Sequence, residues 1–255
     1  LAALTCILSC RIFEYSSYQV PTRDTGDDRL AGALARLSAT DGPDRKFSFA
    51  VLADIQSAYD ELNDGIDRIN ADTSIRFLLV DGDLTQHGTL REFEWVNDGL
   101  GSLRAPYLAV IGNHDAIANG AEIFTRKYGP LDYSFTYRRI KFVVFNDNKW
   151  EFDKNVPDMV WLDSSLTAPD SVRVIAVAHV PPNGDQIPPS LDTALTKMFV
   201  RHHVLFGIFA HQHNWHIEKG DSTGFPYLVV DNVADRNYAK ITIDDTAFHI
   251  EQVFY

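Results

Sequence analysis

The chain has 255 residues, 45% of them hydrophobic, enough to bury the core of one α/β domain. Its 23 Lys and Arg stand against 35 Asp and Glu, and the formal charge of -12 argues against a long basic groove for polymeric nucleic acid. No apolar run reaches the roughly 18 to 20 residues that cross a bilayer as a helix.

In chain order the cysteines come first, at Cys6 and Cys10, and none follows. The folded domain is therefore expected to hold no disulfide. Ile7-Leu8-Ser9-Cys10, in a short apolar stretch, resembles a bacterial lipobox, so residues 1–10 read as a signal-peptide remnant ending in a lipid-accepting cysteine. The expectation is a protein anchored through Cys10 in the bacterial cell envelope, on the periplasmic or outer surface. Residues 11–28 show no sustained period and read as a tether; residues 29–255 read as one domain.

Leu30, Leu34 and Leu37 predict a short docked helix, and Phe47 to Ala53 a strand. Ile66 and Ile69 mark a helix before a second strand, Phe77 to Val80; Phe93, Val96 and Leu100 mark another before a third, Tyr107 to Ile111. Further strands are expected at Ile140 to Phe145, Val172 to Ala178 and Val204 to Ala210, with helices near 158–166 and 191–203. Tyr227 to Val230, Ala239 to Ile243 and Phe248 to Val253 make the end of the chain strand-rich. The alternation predicts an α/β domain of packed sheets covered by helices.

Ligand-type residues stand directly after these strands, where open α/β sheets place their sites. Asp54 and Gln56 follow the first, Asp83 the second, Asn113, His114 and Asp115 the third, His179 the fifth and His211 with His213 the sixth. One such residue is ordinarily a cap; a succession of them reads as a site. Carboxylates, an amide oxygen and imidazoles together suit Mn, Fe or Zn. A carboxylate can bridge two cations, which makes Asp83 the natural bridge of a two-metal centre. Gly82 and Gly112 let the backbone approach it closely.

The ordered set Asp54-Ile55-Gln56, Gly82-Asp83, Gly112-Asn113-His114-Asp115, His179 and His211-Gln212-His213 resembles the calcineurin-like metallophosphoesterase superfamily over roughly residues 46 to 215. The resemblance implies a four-layer αββα sandwich binding two divalent metal ions. It implies one metal on Asp54, Asp83 and His213, and another on Asp83, Asn113, His179 and His211. It also implies a His114 that contacts phosphate and protonates the leaving oxygen; Asp115, next to it in sequence, is a candidate orienting carboxylate for that imidazole.

Two positions depart from the common pattern. Gln56 replaces a histidine and is either a metal ligand or a partner of a metal-bound water; Ala210 replaces a glycine. Diphosphatases acting on ADP-ribose and CDP-alcohols, and lipid-anchored phosphoesterases of Gram-negative bacteria, share the glutamine. Phe13-Glu14-Tyr15 and Glu92-Phe93-Glu94-Trp95 are similar to the latter group.

His87 is a candidate for substrate contact or a surface histidine, and His216 a weak candidate for a third imidazole ligand. Asp147, Asn148, Asn183, Asp231 and Asn232 are candidates for the pocket rim. His202 and His203 are expected to meet the negative end of a helix. No serine has a neighbouring His and Asp arrangement. The expected activity is hydrolysis of a small phosphorylated substrate, a phosphate ester or nucleotide-type diphosphate, by metal-bound hydroxide. The alternative is a catalytically weak lipoprotein that binds a phosphorylated ligand. No protein partner is expected.

Overall fold

The computed structural model describes residues 16–20, 29–43, 46–152, 156–220, 224–244 and 247–255. Cys6, Cys10 and Phe13-Glu14-Tyr15 lie outside them, and so does most of the stretch read as a tether. Residues 16–20, at its centre, rest on the domain. Leu90 N–H donates to Ser17 O, Asn119 Nδ2 donates to Tyr18 O, and Val20 packs on a hydrophobic cluster.

The elements in order are α1 (Arg29–Ala39), β1 (Phe47–Leu52), α2 (Tyr59–Ala71), β2 (Ile75–Asp81), α3 (Leu90–Leu100) and β3 (Tyr107–Val110). There follow α4 (Gly120–Tyr128), β4 (Tyr133–Tyr137), β5 (Ile140–Val144), α5 (Met159–Leu166), β6 (Arg173–Val177) and α6 (Pro189–Arg201). The chain ends with β7 (Val204–Phe209), β8 (His216–Glu218), β9 (Tyr227–Val229), β10 (Asn237–Ile243) and β11 (Phe248–Phe254).

One sheet runs β11-β10-β1-β2-β3 and the other β4-β5-β6-β7-β9-β8. Within them β1-β2-β3 and β5-β6-β7-β9 are parallel, while β10, β11, β4 and β8 pair antiparallel at the flanks. Alternate residues of both sheets meet face to face. Phe49 stacks on Phe77 with ring centroids 4.9 Å apart, and Phe142 meets both edge-on at 5.3 and 5.4 Å. Each fully buried ring contributes roughly 2–3 kcal/mol by removal from water. The outer face of the first sheet packs on α2, α3 and α4 through Ile66, Phe93 and Phe124; that of the second packs on α5 and α6 through Leu162 and Phe199. These layers are the expected αββα sandwich, with α1 closing the edge near β3 and β4.

The helix starts have local causes. Thr89 and Glu92 form a reciprocal capping box at α3, Asp158 caps α5 through Val160 and Trp161 N–H, and α6 begins with a proline in its first turn. Glu92 is therefore a structural residue, and it also accepts from His87 N–H and faces His87 Nδ1 at 3.1 Å.

Candidate metal centre

The parallel strands end at one edge of the sandwich and deliver Asp54, Asp83 and Asn113 from one sheet, His179 and His211 from the other. The chain must turn abruptly there. Asp54, Gln56, Asp83, His211 and His213 all have left-handed backbones, with φ of 53°, 49°, 50°, 69° and 48°. Such a conformation costs a non-glycine residue of order 1–3 kcal/mol and persists where surrounding bonds over-determine it. Here Asp54 N–H donates to Gly82 O and Gln56 N–H to Asp83 O, tying the two turns together. The glycines have steric reasons. A Cβ on Gly112 would stand 2.1 Å from Asp83 N and 2.2 Å from its Oδ1; one on Gly82 would stand 2.2 Å from His179 Nδ1.

Two sets of donor atoms converge. Asp54, Asp83 and His213 each offer one atom within 4.8 Å of the others, as do Asp83, His179 and His211. Asp83 belongs to both sets. Within the sets, His179 Nε2 lies 3.5 Å from Asp83 Oδ1 and His213 Nε2 3.2 Å from Asp54 Oδ1; between them, His179 Nε2 lies 3.9 Å from Asp54 Oδ1. Asn113 joins the second set, with Oδ1 3.0 Å from His211 Nδ1.

The proton positions suit metal ligation. His179 Nδ1–H donates to Asp81 O at 2.9 Å, so that in the neutral ring the Nε2 lone pair is the one turned into the site. His211 Nε2 meets Asp185 Oδ1 at 2.9 Å. A neutral ring has one N–H, and if Asp185 takes it, His211 Nδ1 and Asn113 Oδ1 present two lone pairs to each other. A cation between them resolves that repulsion. His179 Nε2 and Asp54 Oδ1 are buried and make no hydrogen bond. Unpaired buried atoms of this kind are costly unless something binds them. Burial alone would lower the His179 pKa, yet Asp83, then Asp54 and Asp81, raise it well above its ordinary value. The carboxylates demand positive charge, which divalent cations would supply. The residues fit two such ions.

His114 stands beside this centre. Its Nδ1–H donates to Gln86 O at 2.8 Å, and Nε2 lies 4.0 Å from Asp83 Oδ2 on a partly exposed ring. Its backbone N–H donates to Asp83 Oδ1 at 2.9 Å. The expected Asp115 to His114 pairing is absent: Gln86 orients the ring. Asp115 is buried and accepts from Leu84 N–H, Thr85 N–H, Thr85 Oγ1 and Gly112 N–H at 2.8–3.1 Å, so it braces the loop that carries Asp83. Burial, then the Asp83 charge, pushes its carboxyl up to about 7 against these donors.

Other candidates resolve individually. Gln56 is half-buried beside Asp83, and among the described residues its side chain has no hydrogen-bond partner that would divert it. Asp147 and Asn148 are buried rather than on the rim: Asp147 Oδ1 accepts from Val180 N–H and Asn148 Nδ2 donates to Ile111 O. Asn232 caps the turn at Val233–Asp235, with Asp231 bonded to it, and Asn183 is exposed. His87 is exposed on Glu92, and His216 is exposed at the start of β8 outside both donor sets. His202 is the C-cap of α6 and its ring meets the Asp163 carboxylate at 2.6 Å, and His203 occupies a left-handed turn. Sequence reading missed Asp185 and Asp81. Asp185 offered no strand-end signal, and Asp81 acts here through its carbonyl, which any residue possesses.

Two sheets that pool Asp, Asn and His at their strand ends define a metallophosphoesterase type of site. Residues 47–215 match the family described as calcineurin-like phosphoesterase, and the chain belongs to it. No curated protein matches in sequence. Solved structures share the fold at low identity. A purple acid phosphatase, PPD1, from yellow lupin seeds has a TM-score of 0.66 at 14% identity over 82% of this chain and 51% of that one. GAP50, described as the anchor in the inner membrane complex of Plasmodium, has 0.64 at 14% over 82% and 84%. TT1561 of Thermus thermophilus has 0.54 at 12% over 82% and 98%.

Proposed function

We propose that the protein hydrolyses a phosphate ester or a nucleotide-type diphosphate at a centre of two divalent metals, Mn, Fe or Zn. The observation that carries this reading is the pair of donor sets sharing Asp83, with unpaired His179 Nε2 and Asp54 Oδ1 turned into them. When bound, two such metals activate water and clamp the phosphoryl oxygens of an in-line displacement. Asp54, Asp83 and His213 would hold one ion; Asp83, Asn113, His179 and His211 would hold the other. Gln56 completes the first set or bonds a water on it. Gln86 fixes the His114 ring, and its Nε2, when protonated, delivers a proton to the departing oxygen.

A phosphorylated small molecule is the partner this chemistry serves. The likeness of Ile7-Leu8-Ser9-Cys10 to a lipobox supports a place at a bacterial envelope surface, through a lipid on Cys10. The test of activity is metal-depleted protein restored with Mn, Fe, Zn or Mg in turn against monoesters, diesters and nucleoside diphosphates. Turnover of at least one class with a borderline metal is expected; inactivity throughout would favour the alternative of a binding lipoprotein.

A further inference from the structure

A second charged feature lies at the other pole of the first sheet, where β2 and β3 begin. A groove of about 300 Å³ opens between the C-terminal ends of α1 and α2 and the turn before β3. Arg36, Arg76 and Arg104 line it, with Thr40 and Thr73; the Thr40 hydroxyl already donates to Leu37 O. The volume lies at the lower end of small-ligand sites. A net charge of -12 makes three guanidiniums at one groove notable, because acidic partners are plentiful elsewhere on the chain.

Among the described residues, the lining of this groove holds one carboxylate. Asp72 is the lining carboxylate, and it is already engaged: Oδ2 accepts from Lys240 Nζ and Oδ1 from Ser74 N–H and Oγ–H. Among the described residues, the Arg76 and Arg104 guanidiniums have neither a hydrogen-bond nor an ion-pair partner, and Arg36 spends one N–H on Arg104 O. The Arg104 backbone is nonetheless fixed. Its N–H donates to Asn70 Oδ1 at 2.8 Å, and Asn70 Nδ2 donates to Ser102 O at 3.0 Å. A pinned backbone holds the base of a free guanidinium in place and lowers the ordering cost of binding.

We propose that this groove binds a small polyphosphoryl anion, separately from the metal centre. Guanidinium forks match phosphoryl oxygens two at a time, and two unpaired forks offer more donors than one phosphoryl group can fill. The carbonyl ends of α1 and α2 oppose this with about half a charge each, less than three whole charges. The distant acidic surface is screened beyond a Debye length of roughly 8 Å at physiological salt.

The test is calorimetric titration of methylenediphosphonate, whose P–C–P linkage resists hydrolysis, into the full chain depleted of metal. Without cations, the carboxylates of the metal centre repel the probe and leave the arginine groove as its site. One probe per chain is expected, with affinity falling at least tenfold in the Arg76→Glu/Arg104→Glu variant. That variant should keep the metal content and turnover of the parent, which separates this site from the proposed activity. Arg91→Glu/Arg126→Glu changes the net charge equally, on α3 and α4 away from the groove, and should keep the affinity. Absence of binding, or equal weakening by both pairs, would overturn the proposal.

Discussion

Replacing Gly112 by Ala places one methyl group where the structure has no room. The new Cβ would lie 2.1 Å from Asp83 N, 2.9 Å from its Cα and 2.2 Å from its Oδ1. The first two are backbone, so relief requires the whole Asp83 turn to shift by more than an ångström. Overpacking of this kind costs about 1–3 kcal/mol, and for a chain of this size each kcal/mol moves Tm by roughly 2–4 °C. A fall of about 2–12 °C is expected. The same shift displaces the carboxylate common to both donor sets, so metal affinity should drop about 10–100-fold, as when a supporting contact is lost. Gly32→Ala is the control: nothing lies within 4 Å of its Cβ in α1, and it should stabilise by roughly 0.5–1 kcal/mol. Calorimetry with elemental analysis reads both quantities. A Gly112→Ala protein with parental Tm and metal content would refute the close-approach argument.

Asp115→Ala strands three buried amide protons and a hydroxyl, so denaturant unfolding should show a loss of about 3 kcal/mol or more; unchanged stability with reduced turnover would restore its role beside His114. Burial would raise the Asp72 pKa, but bonds from Lys240 and Ser74 prevail and lower it from 3.8 to about 2. Its stabilisation is therefore present above pH 3.8 and lost as pH falls toward 2. Because the pair is partly exposed, the loss is under about 1 kcal/mol. Lys240→Met should remove the lysine's share of it and leave that of Ser74, seen as convergence of the two unfolding curves near pH 2 and divergence above pH 3.8. Expressed with a complete leader, the protein should partition with membranes and Cys10→Ala should release it or leave it unprocessed; an unlipidated cytosolic parent would contradict the anchor.

The site was legible because ligand-type residues at successive strand ends have few structural reasons to recur, and Asp54, Asp83, Asn113, His179, His211 and His213 do converge. What escaped was less visible for physical reasons. Tyr133, Phe135 and Tyr137 alternate with exposed Ser134 and Thr136, a period-2 pattern of only five residues on the flanking strand β4. The nine-residue helix α4 buries Ile123, Phe124 and Tyr128 yet carries Glu122, Arg126 and Lys127, a weak stripe when read alone. Strand ends differed by a residue or so, where pairing outlasts or falls short of the apolar run. Asp115 was misassigned because adjacency to His114 in sequence suggested contact, whereas the tight turn after Asn113 sends the two side chains to different partners.

The central claim is a pair of metals held together by Asp83, and metal content against activity measures it most directly. Elemental analysis of the parent and of Asp83→Asn, each with turnover on its best substrate, should show two metals per parent chain. The variant should hold fewer and lose activity in proportion, because a neutral amide no longer balances two cations. Two metals retained in active Asp83→Asn protein, or a fully active parent with one metal or none, would contradict the account.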